Sequence, residues 1–413
     1  MVERVEVTRR AADRVRAGHL WVYRSDVAGG GAGQAAGTLI TVTDGRGIPL
    51  GTALYSDASE IALRMVSPKT VVGRAEYLVE VTERVRAAIR LRGTVAAEAF
   101  AEDGETNACR LIFSEADGLP GIVVDRYNGL VVLQLLIQGS AQDDVRQVMV
   151  EVLAQQPWVE TVLDRPDARV RELERLEAPP EGPLFVRDGS EVEFKTAFAI
   201  NGVRFHFDAG AGQKTGAFLD QRLNYAAAAH WVAGSGRRGR ALDVCTYQGG
   251  FALHLARVCQ RVTGVDASRA ALEVADRNLE LNAASIKARV DWIEADAFEL
   301  MRDYEAANNR FDTIVLDPPA FAKTKRAVEG ALRGYKELNL RALKMLVPGG
   351  TLVTCSCSHH VGLEEFTGVV RAAAQDAGRR VQVLEMRGAA PDHPAVLTLP
   401  ETSYLKCLIC RVG

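Results

Sequence analysis

Cysteine, excess basic charge and long apolar runs are all scarce in this chain. Seven cysteines in 413 residues are few and odd in number, which argues against a disulfide framework and for thiols kept reduced in the cytosol. Lys and Arg total 50 against 53 Asp and Glu, a net charge of −3. That excludes a wholly basic nucleic-acid coat but not a local basic face. The most apolar stretch, Leu130 to Ile137, spans about eight residues, far short of the roughly 18 that a membrane crossing needs. The first residues alternate charged and small apolar side chains, so no secretion signal is expected. What is there is ordinary: 47% hydrophobic and 25% charged residues, enough chain for two or three domains. A soluble, cytoplasmic protein with no membrane contact is the expectation.

The chain falls into three stretches. Residues 1–72 are strand-like, with runs at Thr38–Thr43, Thr52–Tyr55 and Ile61–Val66, a turn at Asp44–Gly47 and a flexible glycine run at Gly29–Gly33. This predicts a small β-barrel-like domain whose arginines cluster near its start, at Arg4, Arg9, Arg10, Arg14 and Arg16. Residues 73–185 mix a helix over 74–91, apolar at Leu78, Val81, Val85, Ala88 and Ile89, with strands at 111–113, 121–125 and 130–134 and a second helix over 142–155. This α+β central domain ends at Pro179-Pro180-Glu181-Gly182-Pro183, read as a linker or an internal loop. Residues 186–413 alternate strands (241–244, 261–266, 291–295, 311–317, 350–355) with helices (251–258, 270–282, 335–346). Such alternation predicts an α/β, Rossmann-like doubly wound parallel sheet, with ligands beyond the carboxyl ends of its strands.

The residues at those strand ends carry chemistry. Asp243 to Phe251 contains Tyr247 and the pair Gly249-Gly250, where the backbone can approach a ligand as a helix begins. The third glycine of a dinucleotide fingerprint is missing, which argues against a nicotinamide dehydrogenase. Asp266 ends the second strand, where a carboxylate accepts from ribose hydroxyls, and Asp296 follows the third, placed to accept from an adenine amino group. A nucleoside-containing cofactor is implied. The fourth strand runs into Asp317-Pro318-Pro319-Ala320-Phe321-Ala322-Lys323; the prolines fix the acid rigidly, and Phe321 is suited to stack on a base. The fifth ends in Cys355-Ser356-Cys357-Ser358-His359-His360. An extended run spaces same-face residues about 6.6 Å apart, poorly for a four-ligand cage, so no metal is expected. A thiol on this rim reads better as a nucleophile, and spacing alone does not choose between Cys355 and Cys357.

In combination these motifs resemble a class I methyltransferase dependent on S-adenosylmethionine. More closely, the chain resembles the family of 23S ribosomal RNA cytosine carbon-5 methyltransferases with an amino-terminal PUA domain. The likeness runs through Gly18–Tyr23, Glu115–Gly121, Val124–Tyr127, Gly212–Arg222, Arg333–Asn339 and Pro400–Lys406. It implies S-adenosylmethionine held by Asp243, Tyr247, Gly249, Gly250, Asp266, Asp296 and Asp317, a ribosomal RNA partner met by Phe321 and Lys323, and Cys357 as nucleophile with Cys355 the fallback. A homodimer is compatible with it. Carbon 5 of cytosine is a poor nucleophile until a thiolate adds to carbon 6, which is why such chemistry needs a cysteine. Many RNA cytosine methyltransferases outside this family carry a second cysteine in the Asp-Pro-Pro loop. None is present here, and Asp317 is the proton acceptor expected in its stead. Two competing readings are an amino-methyltransferase acting on adenine or guanine, which shares the Asp-Pro-Pro loop but needs no thiol, and a non-catalytic RNA-binding protein.

Overall fold

The computed structural model describes residues 4–30, 33–70, 72–102, 104–190, 194–210, 217–322 and 324–413. Its chain forms two compact units. One comprises residues 1–198, 207–216 and 391–402; the other comprises 199–206, 217–390 and 403–413.

The first unit contains two sheets. Six short strands form one, in the order Trp21–Tyr23, Ile61–Ser67, Pro49–Tyr55, Leu39–Thr43, Arg4–Val7, Val27–Gly29. A helix at Arg9–Arg16 interrupts text that reads as strand-like. Only Ala11 and Ala12 are buried on it, too small to mark a period, and the Thr8 hydroxyl caps it by accepting from Ala11 N. The expected glycine connection lies partly outside the described residues, at Gly31 and Ala32. Five strands form the second sheet, ordered Pro183–Val186, Thr161–Asp164, Leu130–Leu135, Ile122–Tyr127, Ala108–Phe113, with helices Arg74–Val95 and Asp143–Ala154 packed against it. Pro183, at the end of the stretch read as a linker or an internal loop, opens an edge strand, a place where a missing N–H costs no ladder bond. Leu54 and Val66 from the first sheet share one buried cluster with Tyr77, Val81 and Leu111.

The second unit is built on seven strands: β1 (Arg240–Val244), β2 (Arg261–Asp266), β3 (Arg289–Glu294), β4 (Phe311–Leu316), β5 (Leu346–Ser356), β6 (Val381–Arg387) and β7 (Lys406–Val412). Their order is β3-β2-β1-β4-β5-β7-β6. β1 to β5 run parallel, and β7 lies antiparallel between β5 and β6. The helices are α1 (Arg222–Gly234), α2 (Gly250–Ala256), α3 (Arg269–Leu281), α4 (Ala297–Ala306), α5 (Val328–Met345) and α6 (Leu363–Asp376). Central strands buried on both faces read as unbroken apolar runs, as Thr313-Ile314-Val315-Leu316 does on β4, and Leu242, Leu316 and Leu352 pack with Tyr335, Leu338 and Phe366 of α5 and α6. α1, α4, α6 and β6 were not anticipated; α1, for instance, carries four consecutive alanines and little apolar contrast between its faces. The winding reverses between β1 and β4. Parallel strands put the ends of β1 to β5 on one edge, so the reversal opens a crevice there. Among the described residues, no helix is long and apolar enough to cross a membrane.

Candidate active site at the carboxyl edge of the sheet

The loop after β1 is held by carboxylates. Asp243 is 1% exposed, and its Oδ2 accepts from Thr246 Oγ1 at 2.6 Å and from Ala252 N at 2.9 Å in the first turn of α2. Its Oδ1 is buried with no hydrogen-bond partner among the described residues. Burial pushes this carboxyl up to about 7, against the lowering effect of its two donors. Asp266 draws the same loop toward β2: its Oδ2 accepts from Tyr247 N and its Oδ1 from Ser268 N, both at 2.9 Å. Each oxygen keeps a second lone pair for a ligand.

The loop turns sharply, with positive φ at Cys245, Tyr247 and Gly249. Gly249 is the left-handed cap of α2, where a side chain would crowd Trp292 and Leu253. Gly250 serves packing: a Cβ there would come within 2.5 Å of the Tyr225 ring on α1. Asp296 caps α4, its Oδ1 accepting from Phe298 N and Glu299 N, with its Oδ2 outside those bonds.

Asp317 follows β4 directly, and its backbone N–H reaches Val244 O. A chain of side chains orients its carboxyl. Arg387 Nε donates to Asn224 Oδ1, Asn224 Nδ2 to Gln221 Oε1 at 2.6 Å, and Gln221 Nε2 to Asp317 Oδ2 at 3.0 Å. Burial, reinforced by the Asp220 and Asp243 carboxylates, pushes Asp317 up to about 8. Phe321 is half-buried, its ring centroid 4.8 Å from that of Tyr335 and 5.9 Å from that of Phe298. It borders an open groove with Phe298, Arg326, Arg333 and Gly334. Lys323 lies outside the described residues.

The two candidate thiols part company in the structure. Cys355 is fully buried within β5, opposite Cys407 of β7, and burial pushes it well above the usual thiol range. Cys357 lies just past the strand, part-exposed, its Sγ 3.8 Å from Pro318 O of the Asp-Pro-Pro turn. The flanking serines anchor it. Ser356 and Ser358 are both fully buried, and their hydroxyls share the Tyr335 hydroxyl at 3.0 and 2.9 Å. Ser358 Oγ also accepts from Ala322 N, tying the two loops together. Burial and the Asp317 and Asp220 carboxylates push the Cys357 thiol up to about 11, with Lys406 opposing them. His359 and His360 turn out to solvent while Cys355 stays interior, so the Cys-x-Cys-x-His-His run does not converge on a point.

Asp220, Gln221, Tyr335, Tyr404 and Lys406 line this site without having been assigned roles from sequence. They come from three remote segments, and only folding brings them together. Tyr404 OH donates to Asp220 Oδ2 at 2.6 Å.

The unpaired, buried oxygen of Asp243, the spare acceptors of Asp266 and the tight left-handed loop fit a cationic nucleoside such as S-adenosylmethionine. The chain matches the S-adenosylmethionine-dependent methyltransferase family over residues 187–411 and a PUA-like domain over residues 5–68. A crystal structure assigned as a methyltransferase of this kind from Streptococcus mutans shares the fold, with a TM-score of 0.80 and 18% identity over 100% of both chains. A second, solved with S-adenosylhomocysteine, gives 0.80 and 19% over the same coverage. Fold and site thus define a methyltransferase dependent on S-adenosylmethionine, preceded by a PUA-like domain. Among curated relatives, the ribosomal RNA large subunit methyltransferase I of Pseudoalteromonas translucida is 36% identical over 95% of each chain. That of Escherichia coli (strain SMS-3-5) is 35% identical over 95% of each. The chain belongs to this family.

Proposed function

We propose that the protein methylates carbon 5 of a cytosine in 23S ribosomal RNA through a transient bond between Cys357 and carbon 6 of the base. The relatives' names support ribosomal RNA as the substrate, and a protein acting on it fits the cytoplasm. The observation that carries the chemistry is the clamped thiol: Cys357 is part-exposed beside Asp317, between two buried serines fixed to Tyr335.

In this reading Asp243, Tyr247, Gly249, Gly250, Asp266 and Asp296 hold the cofactor. Asp266 supplies acceptors for ribose hydroxyls, Asp296 uses its spare oxygen, and Gly250 contributes by letting α2 pack closely on Tyr225. When bound, S-adenosylmethionine supplies a methyl group activated by its sulfonium. Phe321 and Lys323 are the residues assigned to contact the RNA. Residues 1–72, 73–185 and 186–413 act as the RNA-binding, central and catalytic parts.

The resting thiol is protonated, so attack needs an acceptor, and Asp317, raised to about 8, is a base matched to neutral conditions. The thiol proton passes to Asp317 as sulfur bonds to carbon 6, and the ring's carbon 5–carbon 6 electron pair becomes available at carbon 5. Asp317 releases that proton to solvent and, after methyl transfer, accepts the carbon-5 proton as the double bond re-forms and the sulfur leaves as a thiolate, which is then reprotonated.

RNA carrying 5-fluorocytosine tests this, because fluorine does not leave as a proton does. The wild-type protein should form a stable adduct whose peptide, by mass spectrometry, carries the base on Cys357. Cys357→Ala should abolish methyl transfer while keeping cofactor affinity, and Cys355→Ala should stay active. An adduct on Cys355 would exchange their roles; full activity in the double alanine variant would point to an exocyclic amino group as the acceptor.

A further inference from the structure

Lys406 opens β7 opposite Ser356 in the ladder with β5. It is 7% exposed, and its Nζ donates to Ser358 O and Tyr404 O, both at 2.7 Å. Lys406 therefore meets the residues on both sides of Cys357, its backbone pairing with Ser356 in the ladder and its ammonium donating to Ser358 O. No carboxylate makes an ion pair with it among the described residues. A buried, unpaired ammonium is costly, and burial pulls this one down to about 8.

The charges facing the pair are few. Asp317 and Asp220 face Cys357 and disfavour a second anion, and the Tyr335 hydroxyl lies beside it; Lys406 is the cation facing it. Lys406 itself faces Cys357 and, on α6, Glu365. Among the described residues, a thiolate at this position thus has one positive neighbour against two negative ones.

We propose that Lys406 is the positioning residue of the Cys357 nucleophile: its ammonium fixes the Ser358 carbonyl and supplies the charge that favours the thiolate. This deepens the functional reading above and rests on it. Two interacting groups titrate as a pair, so the ammonium is retained to higher pH as the thiolate forms, and each stabilises the other.

The test reads the thiol directly, without RNA. Iodoacetamide alkylation of the full-length protein is followed across pH 6–11, with the Cys357 peptide quantified by mass spectrometry. Lys406→Gln keeps a donor for the carbonyls but removes the charge. Its Cys357 alkylation at any pH below the midpoint should be roughly tenfold slower than wild type, the equivalent of a midpoint raised by about one unit. Cys245, also part-exposed, is the internal control and should be unchanged. Lys406→Arg restores the charge and should recover the wild-type rate to within about twofold. If Lys406→Gln loses binding of S-adenosylhomocysteine, and so its fold, Lys406→Met makes the same measurement with a hydrocarbon in the buried slot. An unchanged alkylation rate in the charge-free variants overturns the proposal, as does an arginine variant as slow as the glutamine one. Failure of Cys357 to trap 5-fluorocytosine, with the alkylation shift intact, would instead strike the nucleophile reading and leave the electrostatic coupling standing.

Discussion

At the scale of single residues, the site is unusual in gathering acids that resist ionisation. Asp243 is raised to about 7 and Asp317 to about 8, both chiefly by burial. Below those values each tends to hold a proton, and above them each is an anion. A cationic ligand bound beside them favours the ionised forms and drives protons off. S-adenosylmethionine carries a sulfonium charge that S-adenosylhomocysteine lacks. Its affinity relative to the homocysteine form should therefore rise, by roughly tenfold, as pH goes from 6 to 8 and level off above the higher of the two values. Calorimetric titration of both ligands across that range checks this. A ratio independent of pH would detach these carboxyls from the sulfonium.

At the scale of elements, the loops beyond β1, β4 and β5 are cross-braced rather than separate. Asp266 is both the candidate ribose acceptor and the brace that holds Tyr247 N and Ser268 N. Asp266→Ala should weaken binding of S-adenosylhomocysteine by about 1.5–3 kcal/mol, roughly 10- to 150-fold, since bonds to a charged group are lost. Asp266→Asn, which retains one acceptor, should fall between that variant and wild type. Unchanged affinity in the alanine variant would remove Asp266 from the cofactor site. The Ser-Cys-Ser run shows the same economy. Its serines look like mere flanks in the sequence, yet their hydroxyls meet at Tyr335, so the thiol is aimed by α5 as much as by its own strand.

At the scale of the whole molecule, RNA affinity is expected from residues 1–72. Trp21 donates its indole N–H to Glu115 at 2.9 Å and lies against Arg64, so its ring is already engaged. Arg14 and Arg16 are engaged with Asp26 and Asp44. Arg4, Arg9 and Arg10 remain exposed. Deleting residues 1–72 would strip Leu54 and Val66 from a shared core, so charge reversal is the cleaner probe. Arg4→Glu, Arg9→Glu and Arg10→Glu together should leave cofactor affinity intact and weaken binding of ribosomal RNA. The slope of log affinity against log salt should become shallower by about 2–3, as three phosphate contacts release three fewer counterions. An unchanged slope would place the RNA surface elsewhere.

Periodicity and strand-end chemistry were enough to read the parallel sheet from the sequence, because buried parallel strands must be apolar throughout and their carboxyl ends must share an edge. β2 falls where the text places it, Arg261–Asp266, and Asp243, Asp266 and Asp317 stand on the rim. What the sequence could not hold is anything set by long-range pairing. The two thiols are indistinguishable at two-residue spacing, and only the end of β5 at Ser356 leaves one buried and the other part-exposed. Lys406 is an unremarked lysine on a terminal strand until β7 inserts beside β5 and carries its ammonium to Ser358. Residues 391–402 read as part of the last stretch but fold into the first unit, where fully buried Arg92 reaches the Asp392 carbonyl 300 residues away. Local sequence determines which segments become strands and which residues end them. Tertiary packing decides which of those residues lose water, and with it their ordinary charge.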